Sequence, residues 1–388
     1  MPMRQPTTGP LLGLRILDLT RLLPGPLGTM LMADMGADVI RIERPAAPDY
    51  VRSFPPYRQG ESVHYLAYNR SKRSIWLDYH TDDGRAQFLE LVRTADLVIE
   101  QFRPGYLDQF GVGYAAARAV NPRIIYVSIT GYGQTGPYAQ LAGHDINYTA
   151  LAGVLGVSAP NPSAPPVVPG VQLADVAGGS YMGVIATLAA LYARERTGEG
   201  QHVDVSMTDA VMPLLATAFA SYAGTGTVPP AGAMPLSGGL PNYGVYRCRD
   251  GRYVALGTLE PKFWLKFCQL VGRPDWQYWL MPATDAELAD QKAQLQALFI
   301  TRDQTDWAAF GQLHDVLITA VLTVDQLASD PHLAARSMVY TEAHPIAGSY
   351  PAIGVPLKFS ATPAQPAWPA PQPGEDTDDV LAPPAPAD

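Results

Sequence analysis

The feature that most constrains this chain is a repeated alternation of short apolar strands with helix-spaced segments between residues 15 and 206. Arg15-Ile16-Leu17-Asp18-Leu19-Thr20 reads as a buried strand, Pro24-Gly25-Pro26 as a turn, Leu27 to Met35 as a short helix and Asp38 to Ile42 as the next strand. Ile75 to Asp78, Asp96 to Glu100, Arg123 to Thr130 and Val203 to Ser206 continue the series, with helical spacing between them at Phe88, Leu89, Leu91 and Val92. Parallel strands need such crossovers, so the reading is α/β, with a large Rossmann-like parallel-sheet domain.

A chain of 388 residues is long for one core, and the pattern changes after an apolar helix at Met207 to Tyr222 and a Gly-, Pro- and Ala-rich stretch at 223–239. Beyond it, alternating runs at Tyr243 to Cys248 and Tyr253 to Gly257 flank Asp250-Gly251 as a hairpin. Helices at Phe263 to Val271, Asp285 to Phe299 and Asp303 to His314 complete a smaller α+β domain. The expected division is 1–206 with 336–388 for the large domain, 207–230 for a linker helix and loop, and 231–335 for the small domain. Ile146 to Leu155 reads as one helix and Asp325 to Arg336 as a return helix. From Tyr350 the Pro-rich chain reads as largely irregular, down to Pro383 to Asp388.

The net charge of −9 and pI near 5.2 argue against nucleic-acid binding, which needs a positive field. Cys248 and Cys268 give neither a disulfide framework nor metal-ligand spacing, and the seven histidines form no metal pattern, so no metal and a reducing cytoplasm are expected. The polar N-terminus lacks a signal-peptide core, and the longest apolar run, Tyr181 to Tyr192, reads as too short for a membrane span. Pro24-Gly25-Pro26-Leu27-Gly28 lacks dinucleotide-binding spacing, and neither a phosphate loop nor a G-x-S-x-G elbow is present.

Acid–base chemistry remains. Gly143-His144-Asp145-Ile146-Asn147-Tyr148 offers an imidazole, Leu173-Ala174-Asp175-Val176-Ala177-Gly178-Gly179-Ser180 a carboxylate, and Leu259-Glu260-Pro261 a third titratable group. Taken singly, His144 is a loop histidine and Asp175 an N-cap for an apolar helix at about Gly178 to Arg194. Taken together, they can remove a proton from one face of a carbon acid and return one to the other. General acid–base help supplies roughly 10²–10⁴-fold. An enolate must therefore also be held, and the helix N-terminus behind Asp175 is the candidate donor. Arg41 near a strand's carboxyl end, with Arg70, Lys72 and Arg73 in one turn, forms a candidate polyphosphate grip; a solvated basic turn is the alternative.

Gly13 to Leu19, Leu31 to Glu43, Arg103-Pro104-Gly105, Gly131 to Pro137 and Gly198 to Asp204 resemble the class III CoA-transferases, over about Gly13 to Leu381. Within that family, Gly-His-Asp-Ile-Asn-Tyr and Leu-Glu-Pro look like the α-methylacyl-CoA racemase branch. The resemblance implies His144 and Asp175 as the acid/base pair, with Glu260 hydrogen-bonded to the histidine. It implies CoA contacts at Arg41, Leu77, Gln101, Phe102, Arg103, Gly143, Asp145, Ile146, Asn147 and Tyr148, whereas Arg70, Lys72 and Arg73 rest on charge and position alone. It further implies an interlocked homodimer and an acyl-CoA thioester substrate, with CoA part of the substrate and no separate cofactor. The expected reaction is epimerisation of the α-carbon of 2-methyl-branched acyl-CoA. A CoA-transferase using Asp175 as nucleophile is the alternative, and a non-catalytic acyl-CoA-binding protein a remote one. The chain departs from the family's pattern at Gln109, where an arginine is common.

Overall fold

The computed structural model describes residues 4–279 and 281–382, and the expected irregular tail at 383–388 lies outside the described residues. The alternation folds as six parallel strands: β1 (Arg15–Asp18), β2 (Asp38–Glu43), β3 (Arg73–Trp76), β4 (Leu97–Glu100), β5 (Ile125–Thr130) and β6 (His202–Ser206). Their order is β3-β2-β1-β4-β5-β6, the doubly wound arrangement expected from the sequence. Leu17 lies opposite Ile40 on one side and Val98 on the other, and Val127 lies opposite Val203. Every residue of β4 and β5 is buried. Successive side chains point to opposite faces, so the sheet is covered on both.

The crossovers include α1 (Pro24–Asp34), α2 (Val63–Tyr68), α3 (Asp82–Thr94), α4 (Tyr114–Val120) and α5 (Asp145–Leu151). Phe88 and Val92 of α3 and Ala117 of α4 share a core cluster with Leu17, Ile40, Ile75 and Val98. The α3 start is fixed by Thr81, whose hydroxyl accepts from the Gly84 N–H, with Asp82 and Asp83 in the first turn. Helix α1 begins at Pro24 rather than after the Pro-Gly-Pro turn, because proline in a first turn forfeits only an N–H that has no helical partner.

A π-helical segment, Ala174–Tyr181, runs directly into α6 (Met182–Thr197), and α7 (Met207–Val211) follows β6. The continuous run Ala174–Thr197 is long and apolar enough to cross a membrane by length and composition, against the sequence expectation. The π-helical start supplies the added length. Gly183, Thr187, Ala190 and Arg194 form its buried face, and a Cβ at Gly183 would lie 3.1 Å from Ile129 of β5.

The chain divides into two compact units, one containing residues up to 152, 170–213 and 328 onward, the other 153–169 and 214–327. The division falls inside the apolar run read as one helix. Pro213 interrupts it, and a 3₁₀ turn separates α7 from α8 (Ala216–Thr225). The helix expected at Ile146 to Leu155 likewise stops at Leu151, and residues 153–169 group with the second unit.

The second unit pairs β7 (Tyr243–Arg247), β8 (Tyr253–Gly257) and β9 (Ile318–Ala320) antiparallel, with α9 (Pro261–Leu270), α10 (Asp285–Phe299) and α11 (Gln304–His314). Trp264, Trp276 and Trp307 are fully buried in its core. In the first unit, β10 (Val339–His344) and β11 (Gly348–Ile353) form a hairpin where the sequence suggested irregular chain from Tyr350. Pro351 masked the second strand, although a two-stranded ribbon has outer edges that tolerate proline. The return helix expected at Asp325 to Arg336 is broken at Pro331, where Asp330 caps a short new helix.

Candidate active site

Strand order reverses between β1 and β4, so a crevice opens beyond their carboxyl ends. A cleft of about 390 Å³ lies there. Its walls include Leu22 and Pro24 after β1, Gln101, Phe102 and Arg103 after β4, Gly131 after β5, and Gly143, His144, Tyr148 and Asp175. The sequence-predicted His144 and Asp175 therefore share one cavity.

His144 is the exposed N-cap of α5, with extended backbone (φ −129°, ψ 174°). Its N–H donates to Asn147 Oδ1 at 3.0 Å, which fixes the start of the helix. Asp145 turns the other way and accepts the N–H groups of Ala174 at 2.6 Å and Asp175 at 3.0 Å. The helix end suggested as an oxyanion donor is thus already occupied: Asp145 takes its first N–H groups, and the Val176 N–H bonds Gln172. Tyr148 donates to the Gly143 carbonyl, and a Cβ on Gly143 or Gly131 would come within 2.6 or 2.3 Å of its ring. Ile146 stays exposed.

Asp175 is not the N-cap; it sits within the first turn of the π-helical segment, a geometry that often marks functional positions. Its carboxylate has no hydrogen-bond partner among the described residues. Burial, and next the Asp145 charge, push its pKa up to about 6 against the opposing pull of His144. The same environment, burial first and then Asp175, pushes the Tyr148 hydroxyl up to about 12.

The basic cluster requires correction. Arg41, Arg70, Lys72 and Arg73 are all buried, and each meets a carboxylate inside the unit. Arg70 grips Asp34 with Nε and Nη2 at 3.1 and 2.8 Å, and Arg73 grips Asp38 at 2.9 and 2.6 Å. Lys72 bonds Asp18 at 3.1 Å, the Pro26 carbonyl and Asn69. Arg41 pairs with Asp49 and lies 3.5 Å from Glu43 and 3.8 Å from Asp18. Burial lowers the Lys72 pKa to about 8, although Asp18 opposes it. For Asp18 burial alone would raise the pKa, but Lys72 and Arg41 bring it below the ordinary value. Arg70 and Lys72 thus tie down helix α1, Arg73 joins β3 to β2, and Arg41 is held beside Asp49, so all four are engaged inside the unit.

A different cation lines the cleft. Arg103 is exposed and has no carboxylate partner among the described residues. Arg21 lies 5.2 Å from the Phe102 ring, and Arg44 bonds Asp78 at 2.8 Å beside Tyr79. Arg44 follows the last residue of β2, whereas Arg41 lies within the strand opposite Asp18; position relative to the strand end was the available signal. Leu77 is in the core, and Gln101 accepts the Gly25 N–H at 3.1 Å. Glu260 lies in the second unit, at the N-cap of α9.

Sequence reading also missed Glu100. This buried carboxylate ends β4, accepts the Phe102 N–H at 2.6 Å, and faces Ser128, whose hydroxyl meets His202 Nε2 at 2.9 Å. Burial pushes it up to about 7. Its signal was a charged residue at the carboxyl end of a strand otherwise apolar on both faces.

A doubly wound sheet with a titratable pair at its switch point defines an α/β protein equipped for acid–base or nucleophilic chemistry on a ligand lying across β1 and β4. The chain belongs to CoA-transferase family III, which it matches over residues 11–377. It is 34% identical to the acetyl-CoA:oxalate CoA-transferase of Acetobacter aceti, covering 85% of each chain. It is 32% identical to the α-methylacyl-CoA racemase of Homo sapiens, covering 95% of this chain and 92% of that one. A crystal structure of a CAIB/BAIF family protein from Brucella suis superposes with a TM-score of 0.83 at 32% identity, covering 97% of this chain and 99% of that chain.

Proposed function

We propose that this protein racemises the α-carbon of 2-methyl-branched acyl-CoA thioesters by 1,1-proton transfer. The observation that carries the reading is one cleft holding both an exposed imidazole, His144, and a carboxylate without hydrogen-bond partners among the described residues, Asp175. With a pKa near 6, Asp175 accepts and returns protons at neutral pH more readily than an ordinary carboxylate. In one direction Asp175 takes the α-proton, leaving an enolate, and protonated His144 delivers a proton to the opposite face. The reverse direction exchanges the roles. Glu260 is assigned by family resemblance as the hydrogen-bond partner of the histidine, and Arg103, exposed in the cleft, as the cation available to the CoA phosphates.

Incubating either enantiomer in deuterated water should incorporate α-deuterium, and His144→Ala should suppress it by at least about 10²-fold. Undiminished exchange in that variant defeats the assignment. CoA affinity without exchange or transfer would instead indicate a binding protein.

A second reading is favoured by the same partnerless carboxylate: Asp175 as the nucleophile of a CoA-transferase, forming an enzyme-bound anhydride or thioester. The relative from Acetobacter aceti makes this reading specific. Hydroxylamine trapping at Asp175 with an acyl-CoA donor and a free-acid acceptor distinguishes it. His144 favours racemisation, since attack by a single carboxylate needs no second base.

We further propose a homodimer. Tyr181, Ile185, Leu188 and Tyr192 recur every three or four residues along the π-helical segment and α6, yet all remain 40–65% exposed. Light scattering at twice the chain mass is the expected result.

A further inference from the structure

The crossover that leaves β1 and the turn that leaves β2 meet over one buried carboxylate, that of Asp49. Its Oδ2 accepts the Leu22 N–H at 3.0 Å, and its Oδ1 accepts the Val51 N–H at 3.0 Å, which caps the 3₁₀ turn Tyr50–Ser53. The Asp49 N–H donates to Oε1 of Glu43, the last residue of β2, and Arg52 grips Glu43 in turn through Nε and Nη2 at 3.1 and 2.6 Å. Buried Arg41 makes its one hydrogen bond among the described residues to the same Oδ2 of Asp49. The carboxylate is therefore fixed to β2 from one side and holds the β1 crossover from the other.

The residue it holds is strained. Leu22 has φ 60°, in the left-handed region, which costs a bulky side chain about tenfold in population relative to ordinary backbone. Such a conformation persists only where its surroundings over-determine it, and it recurs at functional positions. Here the surroundings are the Asp49 bond, the packing of the Leu22 side chain against Val51, Tyr65 and Leu66, and a second tie from Arg21 Nη2 to the Ala47 carbonyl at 3.2 Å. Leu22 and Tyr50 both line the cleft that contains His144 and Asp175, whereas Asp49 lies behind that wall.

We propose that Asp49 is a positioning residue of the cleft. It clamps Leu22 in the left-handed conformation and seats Tyr50 beside it, so that a substrate meets Asp175 and His144 in one orientation. The inference rests on the reading of the cleft as the reacting site and holds for either reaction there. Without the clamp, Leu22 relaxes to negative φ and the wall shifts. A misplacement of about 1 Å costs about 10²-fold in rate, while the contacts that supply affinity are largely kept.

The test introduces Asp49→Ala into the wild type and into a Leu22→Asn background, because asparagine tolerates the left-handed region that leucine resists. In the wild type, Asp49→Ala should lower kcat for α-deuterium exchange by about 10²-fold. Affinity for a non-reactive S-butyl-CoA thioether should stay within a few-fold, with melting temperature reporting the cost to the fold separately. In the Leu22→Asn background the loss should shrink by about tenfold, the strain that asparagine does not carry. Amide hydrogen exchange followed by mass spectrometry reads the clamp in the wild type itself, where the Leu22 N–H should be protected. A folded Asp49→Ala protein with wild-type kcat, an equal loss in both backgrounds, affinity falling as far as kcat, or an unprotected Leu22 N–H in the wild type overturns the proposal. The racemase reading fails separately. No α-deuterium exchange from the wild type rejects racemisation alone; the two backgrounds are then compared by CoA transfer to a free acid, and the Leu22 N–H reads the clamp in either case.

Discussion

Replacing Asp175 by asparagine is predicted to stabilise the protein at neutral pH while abolishing proton exchange. The folded chain holds this carboxyl at about 6, against 3.8 for an ordinary aspartate, because it is buried and faces Asp145. Between those values the folded state retains a proton that the unfolded chain has released. Stability therefore falls as pH rises through about 4 to 6 and stays reduced above it. A displacement of about two units corresponds to about 3 kcal/mol. Asparagine removes that charge but brings an amide whose own partners are incomplete, at about 1–2 kcal/mol. The net gain expected at pH 7 is then about 1–2 kcal/mol, reversing to a deficit of similar size below about pH 4, where the wild-type carboxyl is neutral and only the cost of the amide remains. Urea unfolding of wild type and Asp175→Asn across this pH range reads the difference directly. A variant less stable than wild type at pH 7, or an offset that ignores pH, would refute the picture of a carboxylate kept charged against its surroundings.

Glu100 ionises at about 7 and, once charged, holds the Phe102 N–H more strongly, so KM for a CoA thioester should fall as pH rises from about 6 to about 8. Glu100→Gln should flatten that dependence with kcat little changed, and a retained slope would place the titration elsewhere. Arg103→Ala should raise KM by about 10- to 100-fold through loss of one charge-assisted contact, with normal unfolding. Arg70→Ala, by contrast, should cost about 3–5 kcal/mol in unfolding because it strands Asp34 in the interior.

The parallel sheet was legible because burial on both faces turns a strand into a nearly unbroken apolar run, and six such runs separated by helical spacing leave few alternatives. Proline limited the rest in both directions. Pro24 opened a helix where a turn was read, Pro213 and Pro331 cut helices that apolar spacing had joined, and Pro351 hid a strand that pairs along its length with β10. The charged residues were the least legible. Arg41, Arg70, Lys72 and Arg73 look like one basic patch along the chain, but the carboxylates that neutralise them, Asp18, Asp34, Asp38 and Asp49, sit on other elements and meet them only after the strands have paired. A one-dimensional reading sees charge and not its partner. Glu100 was overlooked for the converse reason, since a lone carboxylate in an apolar strand does not announce that no cation will be nearby.

The Gly-His-Asp segment divides its labour between neighbouring side chains. Asp145 faces inward, closes the N–H groups at the start of the π-helical segment and raises the affinity of Asp175 for a proton. That service suits any reaction in which Asp175 attacks or accepts, so Asp145 is compatible with transferase and racemase alike. His144 lies exposed at the cleft, at the N-cap of α5, where a capping box joins it to Asn147. Asp145→Asn and His144→Asn therefore separate the two roles. The first should lower the pH at which Asp175 takes up its proton, leaving exchange measurable and shifting its acidic limb downward. The second should leave that limb in place for any chemistry that uses Asp175 alone and remove only a reaction needing a second proton carrier. Transfer of CoA surviving in His144→Asn at wild-type rate, with exchange absent in the wild type, would assign the cleft to the nucleophilic reaction.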